Sequence, residues 1–150
     1  MDLFITKLIA TTFFSGYIPL APGTWGSLLA VPLSFFLHKH GWIGYLAALG
    51  VIFLVGLGSA DFLTKYWQKK DDARINIDEF LGMLITFFLL PRMNFIILVG
   101  GFILFRFFDI VKPLYIRNTE KLKSSLSIML DDIVAGVYTN LLLQFLVRIL

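Results

Sequence analysis

The chain contains no cysteine, and only 15% of its 150 residues are charged. The first absence excludes disulfides, thiolate metal sites and any chemistry that runs through a cysteine nucleophile. The second departs from soluble proteins, in which roughly 25% of residues carry charge. Hydrophobic residues make up 58% of the chain, and the mean hydropathy is +0.84. A soluble domain of this size needs more polar surface than these residues supply, so lipid is expected to cover part of it. The net charge is only +3, and the basic residues sit between apolar runs. That pattern is a poor footprint for nucleic acid and a better one for an anionic lipid surface. The length fits a single domain. The N-terminus has no basic, apolar and cleavage-site succession of a signal peptide. Asp2 and Lys7 followed by Thr11-Thr12-Phe13-Phe14 and Gly16 predict instead a helix lying at the membrane interface.

Five apolar stretches are present. They run from Trp25 to Leu37, Trp42 to Ala60, Ile77 to Leu90, Asn94 to Phe108, and Ile133 to the C-terminus. The second has no charge over its 19 residues, or roughly 28 Å of helix. The third is stopped by Pro91. The fold class this predicts is all-α: an integral membrane helical bundle of four to five membrane-embedded helices, with the N-terminal interfacial helix added. Several stretches fall short of the roughly 20 residues of a full span, so they either extend through flanking charges or enter the bilayer only in part.

Threading the stretches as successive antiparallel crossings places nine of the ten acidic residues, all but Asp2, at one face. The same face collects Lys65, Lys69, Lys70, Arg74, Lys112, Arg117, Lys121 and Lys123, against Lys39, Arg92 and Arg148 opposite. Lys and Arg bias marks the cytoplasmic side, so the carboxylate face is expected to be cytoplasmic. His38 and His40 fall in the opposite loop and are read as interfacial residues.

Four groups of residues can carry chemistry. Asp78-Glu79 and Asp131-Asp132 each pair adjacent carboxylates at the expected start of an apolar helix, with Gly82 or Gly136 one turn on. Helix N-capping explains either pair alone. Two pairs, each with a glycine that lets a neighbouring helix approach closely, point to one shared site. Four carboxylates crowded at a membrane boundary repel one another unless a cation neutralises them. Oxygen donors suit Mg²⁺, Mn²⁺ or Ca²⁺. Arg106, Asp109 and Lys112 recur every three residues and share a helix face. Arg106 and Lys112 can bind phosphate, and Asp109 can join the acidic cluster or orient Arg106. The plainer account is an Arg–Asp ion pair with a snorkelling lysine. In Ala21-Pro22-Gly23-Thr24-Trp25-Gly26-Ser27, Gly23 is expected to permit a tight turn and Thr24 or Ser27 to cap the next helix. Amides at that helix start can hold an anion.

Taken together, the motifs at 21–27, 77–83, 104–110 with Lys112-Pro113, and 129–136 are similar to those of the phosphatidylglycerophosphatase A family. The resemblance covers most of the chain. It implies a bacterial inner-membrane enzyme, a single membrane-embedded lipid phosphatase domain over residues 1–150. Such an enzyme removes the terminal phosphate from phosphatidylglycerophosphate, with Mg²⁺ as cofactor and a phospholipid in the bilayer as substrate partner. It further implies that Asp78, Glu79, Asp109, Asp131 and Asp132 are the catalytic and metal-binding acids and that Arg106 and Lys112 bind substrate. Thr24, at the expected helix start, is a further substrate-binding candidate, and a carboxylate such as Asp131 is expected to act as base for the attacking water. The chain has Lys112-Pro113-Leu114-Tyr115-Ile116 where the family has Lys-Pro-Trp-Pro-Ile, and Lys123-Ser124-Ser125-Leu126-Ser127 where glycines are usual. Two alternatives remain. A cation transporter also clusters intramembrane acids, though nearer mid-bilayer than these helix ends. A CDP-alcohol phosphotransferase is faintly similar through Asp72-Ala73-Arg74, but Leu84, Ile85, Thr86 and Phe87 occupy the positions its further aspartates need.

Overall fold

In the computed structural model, which describes residues 2–69, 72–112 and 125–149, the regular structure is entirely helical among the described residues. The helices are α1 (Leu3–Ala10), α2 (Pro22–Lys39), α3 (Gly41–Trp67), α4 (Ile77–Thr86), α5 (Phe95–Val111) and α6 (Ser125–Ile149), with a 3₁₀ turn at Ser15–Tyr17. Lys70, Arg117, Lys121 and Lys123, part of the charge bias above, lie outside the described residues. So do residues 113–124 of the two loop departures.

Local chemistry sets most helix ends. The Asp2 carboxylate accepts from the Phe4 amide at 2.8 Å and starts α1, and Asn94 accepts from the Ile97 amide at 2.9 Å and starts α5. Pro22 opens α2 at a position where its missing N–H costs nothing. A single His40 separates α2 from α3, with Gly41 at φ +81°; a side chain is disfavoured in that left-handed backbone.

Three boundaries differ from those expected. α3 does not stop at Ala60 but continues through Asp61 and Lys65 to Trp67, where an Asp61–Lys65 ion pair at 2.6 Å spans one turn. α4 ends at Thr86 rather than near Leu90. Its terminal carbonyls find partners on other helices: the Tyr45 hydroxyl donates to Leu84 O at 2.8 Å, and Asn140 Nδ2 donates to Thr86 O at 3.0 Å and Phe88 O at 2.7 Å. With those groups satisfied the helix can break inside the protein, and Leu89 turns the chain through a left-handed φ of 57°. α6 is already helical at Ser125, eight residues before Ile133; there Ser125 donates to Asp61 at 3.2 Å, and Met129 is buried beside Gly56 of α3. Asp131 and Asp132 therefore lie nearly two turns inside a helix, which overturns helix-start capping as their explanation.

α4 is the central element. Ile77, Phe80, Leu81, Met83 and Leu84 are buried, and the helix packs chiefly between α2 and α6, with α3 and α5 at its flanks. At ten residues it is about 15 Å long, too short to cross a bilayer. Two helices among those described, α3 and α6, are long and apolar enough to do so. The outer surface is nevertheless apolar. Phe95, Ile96, Val99, Ile103, Phe107 and Ile110 form an exposed stripe along α5, and α3 exposes Leu46, Val51, Leu54 and Val55.

Candidate metal and phosphate site

The site is assembled where α4 crosses α6. A Cβ added to Gly136 would collide with the Gly82 carbonyl oxygen, and one added to Gly82 would lie 2.6 Å from Asp132 O. The two helices thus touch backbone to backbone, as the paired glycines suggested. The crossing brings Asp78 and Glu79, in the first turn of α4, against Asp132 of α6. One carboxylate oxygen from each of these three residues lies within 4.8 Å of the other two. Asp78 and Asp132 are buried. Asp109 of α5 is close enough to interact with Asp78, Glu79 and Asp132 alike.

The start of α4 is held by a residue the sequence did not single out. Asn76 is completely buried. Its Nδ2 donates to Ser15 Oγ and to Pro22 O, both at 2.9 Å, and its backbone N–H donates to Ala10 O at 3.0 Å. Its own carbonyl accepts from Thr12 Oγ1 at 3.3 Å. One side chain and its peptide groups thereby tie α1, the 3₁₀ turn, α2 and α4 together. Gly26 packs directly on it, since a Cβ there would sit 2.7 Å from Asn76 O. Asn before Ile-Asp-Glu carries no recognisable signal, because its partners are 54 to 66 positions away.

Arg106 forms an ion pair with Asp109 at 2.6 Å, and both side chains are mostly buried. Gly23 lies against this group: a Cβ on it would collide with the Glu79 carboxylate and approach Arg106 Nη1 to 3.3 Å. Its absent side chain serves this close approach and not the turn expected of it. The left-handed turn residue is Ala21, at φ 50°. Neither Thr24 nor Ser27 caps α2; Ser27 Oγ donates to Gly23 O at 2.9 Å within the helix. Thr24 sits half-buried beside Gly23 in the first turn.

Lys112 ends α5 and donates to Asp131 Oδ2 at 3.2 Å. Asp131 is thus buried against a lysine and is not one of the three carboxylates that converge. His38 lies in the last turn of α2 and His40 between α2 and α3, where it packs its ring on Phe36 at 4.5 Å.

Asp78 Oδ1 and Glu79 Oε2 are buried with no hydrogen-bond partner. Unmet buried carboxylate oxygens are costly, and a divalent cation would satisfy them. Two oxygens bound to one Mg²⁺ or Ca²⁺ lie roughly 3–5 Å apart, which matches the observed convergence. The oxygen-only donor set therefore fits a hard divalent cation held by Asp78, Glu79 and Asp132, with Asp109 beside them.

A family model described as phosphatidylglycerophosphatase A matches residues 8–147. Phosphatidylglycerophosphatase A of Haemophilus influenzae is 38% identical over 133 residues, 87% of this chain and 82% of that protein. Phosphatidylglycerophosphatase A of Escherichia coli (strain K12) is 35% identical over 140 residues, 93% of this chain and 81% of that protein. A Bacteroides thetaiotaomicron protein provisionally named as a phosphatidylinositol-3-phosphatase is 39% identical over 147 residues, 93% of this chain and 92% of its own. No solved structure matches the chain.

Proposed function

Because the chain belongs to the phosphatidylglycerophosphatase A family and is accordingly a phosphatase, we propose that it removes the terminal phosphate of phosphatidylglycerophosphate, releasing phosphatidylglycerol and inorganic phosphate. The observation that carries this reading is the convergence of Asp78, Glu79 and Asp132, with two unpartnered buried oxygens, beside the Arg106–Asp109 pair. Family membership also sets aside the transport and CDP-alcohol phosphotransferase alternatives.

When bound at the three carboxylates, Mg²⁺ supplies Lewis-acid polarisation of the phosphoryl group. Asp109 orients Arg106, whose planar fork suits two phosphoryl oxygens. Lys112 adds a compact positive charge. The first turn of α2, with Thr24, presents a helix N-terminus beside Glu79, where partial positive charge favours an anion. A carboxylate of the cluster takes the proton of the attacking water as the new P–O bond forms. The bond to glycerol breaks, and the carboxyl passes the proton taken from water to the departing oxygen, giving the free hydroxyl of phosphatidylglycerol and restoring the carboxylate.

In this reading the whole chain is one membrane-embedded domain in the bacterial inner membrane. α3 and α6 cross the bilayer, and the shorter apolar helices are embedded around them. The acyl chains of the substrate remain in lipid while the headgroup reaches the acids. The Lys and Arg excess on the acidic side supports a cytoplasmic site.

Purified protein in mixed micelles should release phosphate from phosphatidylglycerophosphate with Mg²⁺ and not with EDTA. The Bacteroides relative gives a specific competitor, phosphatidylinositol 3-phosphate. A higher kcat/KM on that lipid would replace the proposed substrate, and no release from either lipid would overturn the reading.

A further inference from the structure

Asp131 and Asp132 are sequence neighbours, yet their side chains leave α6 about 100° apart, because a helix makes a turn in 3.6 residues. Asp132 shares its face with Gly136, whose Cα packs on the Gly82 backbone, so that face meets α4. Asp131 shares its face with Tyr138, seven residues on. The Tyr138 ring lies edge-on to Phe108 of α5, with centroids 6.2 Å apart, so that face meets α5. One turn beyond Phe108 is Lys112, whose Nζ donates to Asp131 Oδ2 at 3.2 Å. The carboxylate is almost wholly buried, with 7% of its side chain exposed, while Lys112 remains 31% exposed.

From this we infer that the two adjacent aspartates have different tasks. Asp132 belongs to the cation-holding set. Asp131 is a positioning residue that fixes the Lys112 ammonium at the edge of that set, where the headgroup phosphate arrives. A lysine has a long flexible stem and loses much rotamer freedom when it is held in one place. A buried carboxylate reached from the neighbouring helix restricts that freedom before substrate binds. Lys112 also ends α5 with a left-handed backbone, φ 44°. The assignment rests on the proposed phosphatase reading for what Lys112 binds, though not for which carboxylates hold the ion.

The test combines Mn²⁺ binding to the detergent-solubilised full chain, followed by the spectroscopic signal of free ion, with steady-state hydrolysis of phosphatidylglycerophosphate. Asp132→Asn should weaken Mn²⁺ binding by at least about 10-fold. Asp131→Asn should bind Mn²⁺ like the wild type and raise KM by about 10-fold with a smaller change in kcat. Lys112→Ala should do the same, and the double variant Asp131→Asn/Lys112→Ala should be no worse than Lys112→Ala alone. Asp131→Glu, which keeps the charge, should recover most of the KM and serves equally if Asp131→Asn does not fold. Loss of Mn²⁺ affinity in either Asp131 variant, comparable to that of Asp132→Asn, would overturn the division. So would independent, additive effects of the Asp131 and Lys112 substitutions. A wild type that binds Mn²⁺ but hydrolyses no lipid phosphate would overturn the phosphatase reading and Lys112's part in it, while the Mn²⁺ comparison still decides whether Asp131 is a ligand.

Discussion

Gly136 packs its Cα directly against the backbone of Gly82, and this single contact sets how closely α4 and α6 approach. Asp132 is one turn from the first glycine and Asp78-Glu79 one turn from the second. The distance between carboxylates is therefore controlled by atoms that the glycines lack.

Adding a methyl group at this crossing should separate the acids. Gly136→Ala and Gly82→Ala are expected to cost about 1–3 kcal/mol through overpacking against backbone, and to weaken divalent-ion binding together with activity. Gly50→Ala is the control, since nothing lies within 4 Å of its added Cβ. In mid-helix it should be neutral or stabilising by up to about 1 kcal/mol. Thermal melts in detergent with and without Mn²⁺ separate the cases. A Gly136→Ala protein with unchanged ion affinity would show that the crossing does not set the site.

Removing one of the converging charges should uncouple stability from activity. Asp78→Asn and Asp132→Asn should each lower phosphate release by at least ~10². In EDTA both should melt no lower than the wild type, because one member of a mutually repelling buried group has been neutralised. With Mg²⁺ the wild type should gain stability by mass action and the variants should gain less. Equal Mg²⁺ stabilisation of all three proteins would exclude these carboxylates as its ligands.

Arg106 should not tolerate lysine. Arg106→Lys keeps the charge but loses the planar fork and the ion pair with Asp109 made at 2.6 Å. A charge-assisted hydrogen bond is worth about 1.5–3 kcal/mol, so kcat/KM should fall by about 10- to 10²-fold. Wild-type kcat/KM in the lysine variant would reduce Arg106 to a simple counter-charge.

Acid should loosen the loop before α4. Asp72 is buried, accepts from Arg74 Nε and Nη2 at 2.9 Å each, and lies 3.3 Å from Lys69. Arg74 in turn stacks on Trp67 at 3.8 Å. The Arg74 guanidinium holds the Asp72 carboxyl well below the usual carboxylate range. A lowered folded-state pKa contributes stability that is complete above the unfolded value of about 3.9 and is lost as pH falls through the lowered one. Asp72→Asn should therefore cost about 1–3 kcal/mol at neutral pH and differ less from the wild type as pH drops below about 4. Melting temperatures of the two proteins across that range provide the check, and parallel curves would rule out the linkage.

Some of the structure was legible without coordinates because it is written in local pattern. Apolar runs punctuated by Pro22, Pro91 and Asn94 mark α2, the segment of α4 and the start of α5. The glycine one turn from each acidic pair correctly suggested the α4–α6 contact. The break of α4 at Thr86 was not legible, since its carbonyls are capped by Tyr45 and Asn140 from other helices. Nor was the part played by Asn76, whose side chain and backbone join segments separated by more than fifty residues.

Composition and short motifs alone determined a helical, lipid-suited chain with clustered acids and basic residues of a kind suited to phosphate, because hydropathy and residue chemistry act wherever the chain goes. Tertiary structure decided which of those acids meet. Helix phase sends Asp132 toward Asp78 and Glu79 and sends Asp131 toward Lys112, and a 100° turn between neighbours has a consequence only once other helices are packed around it.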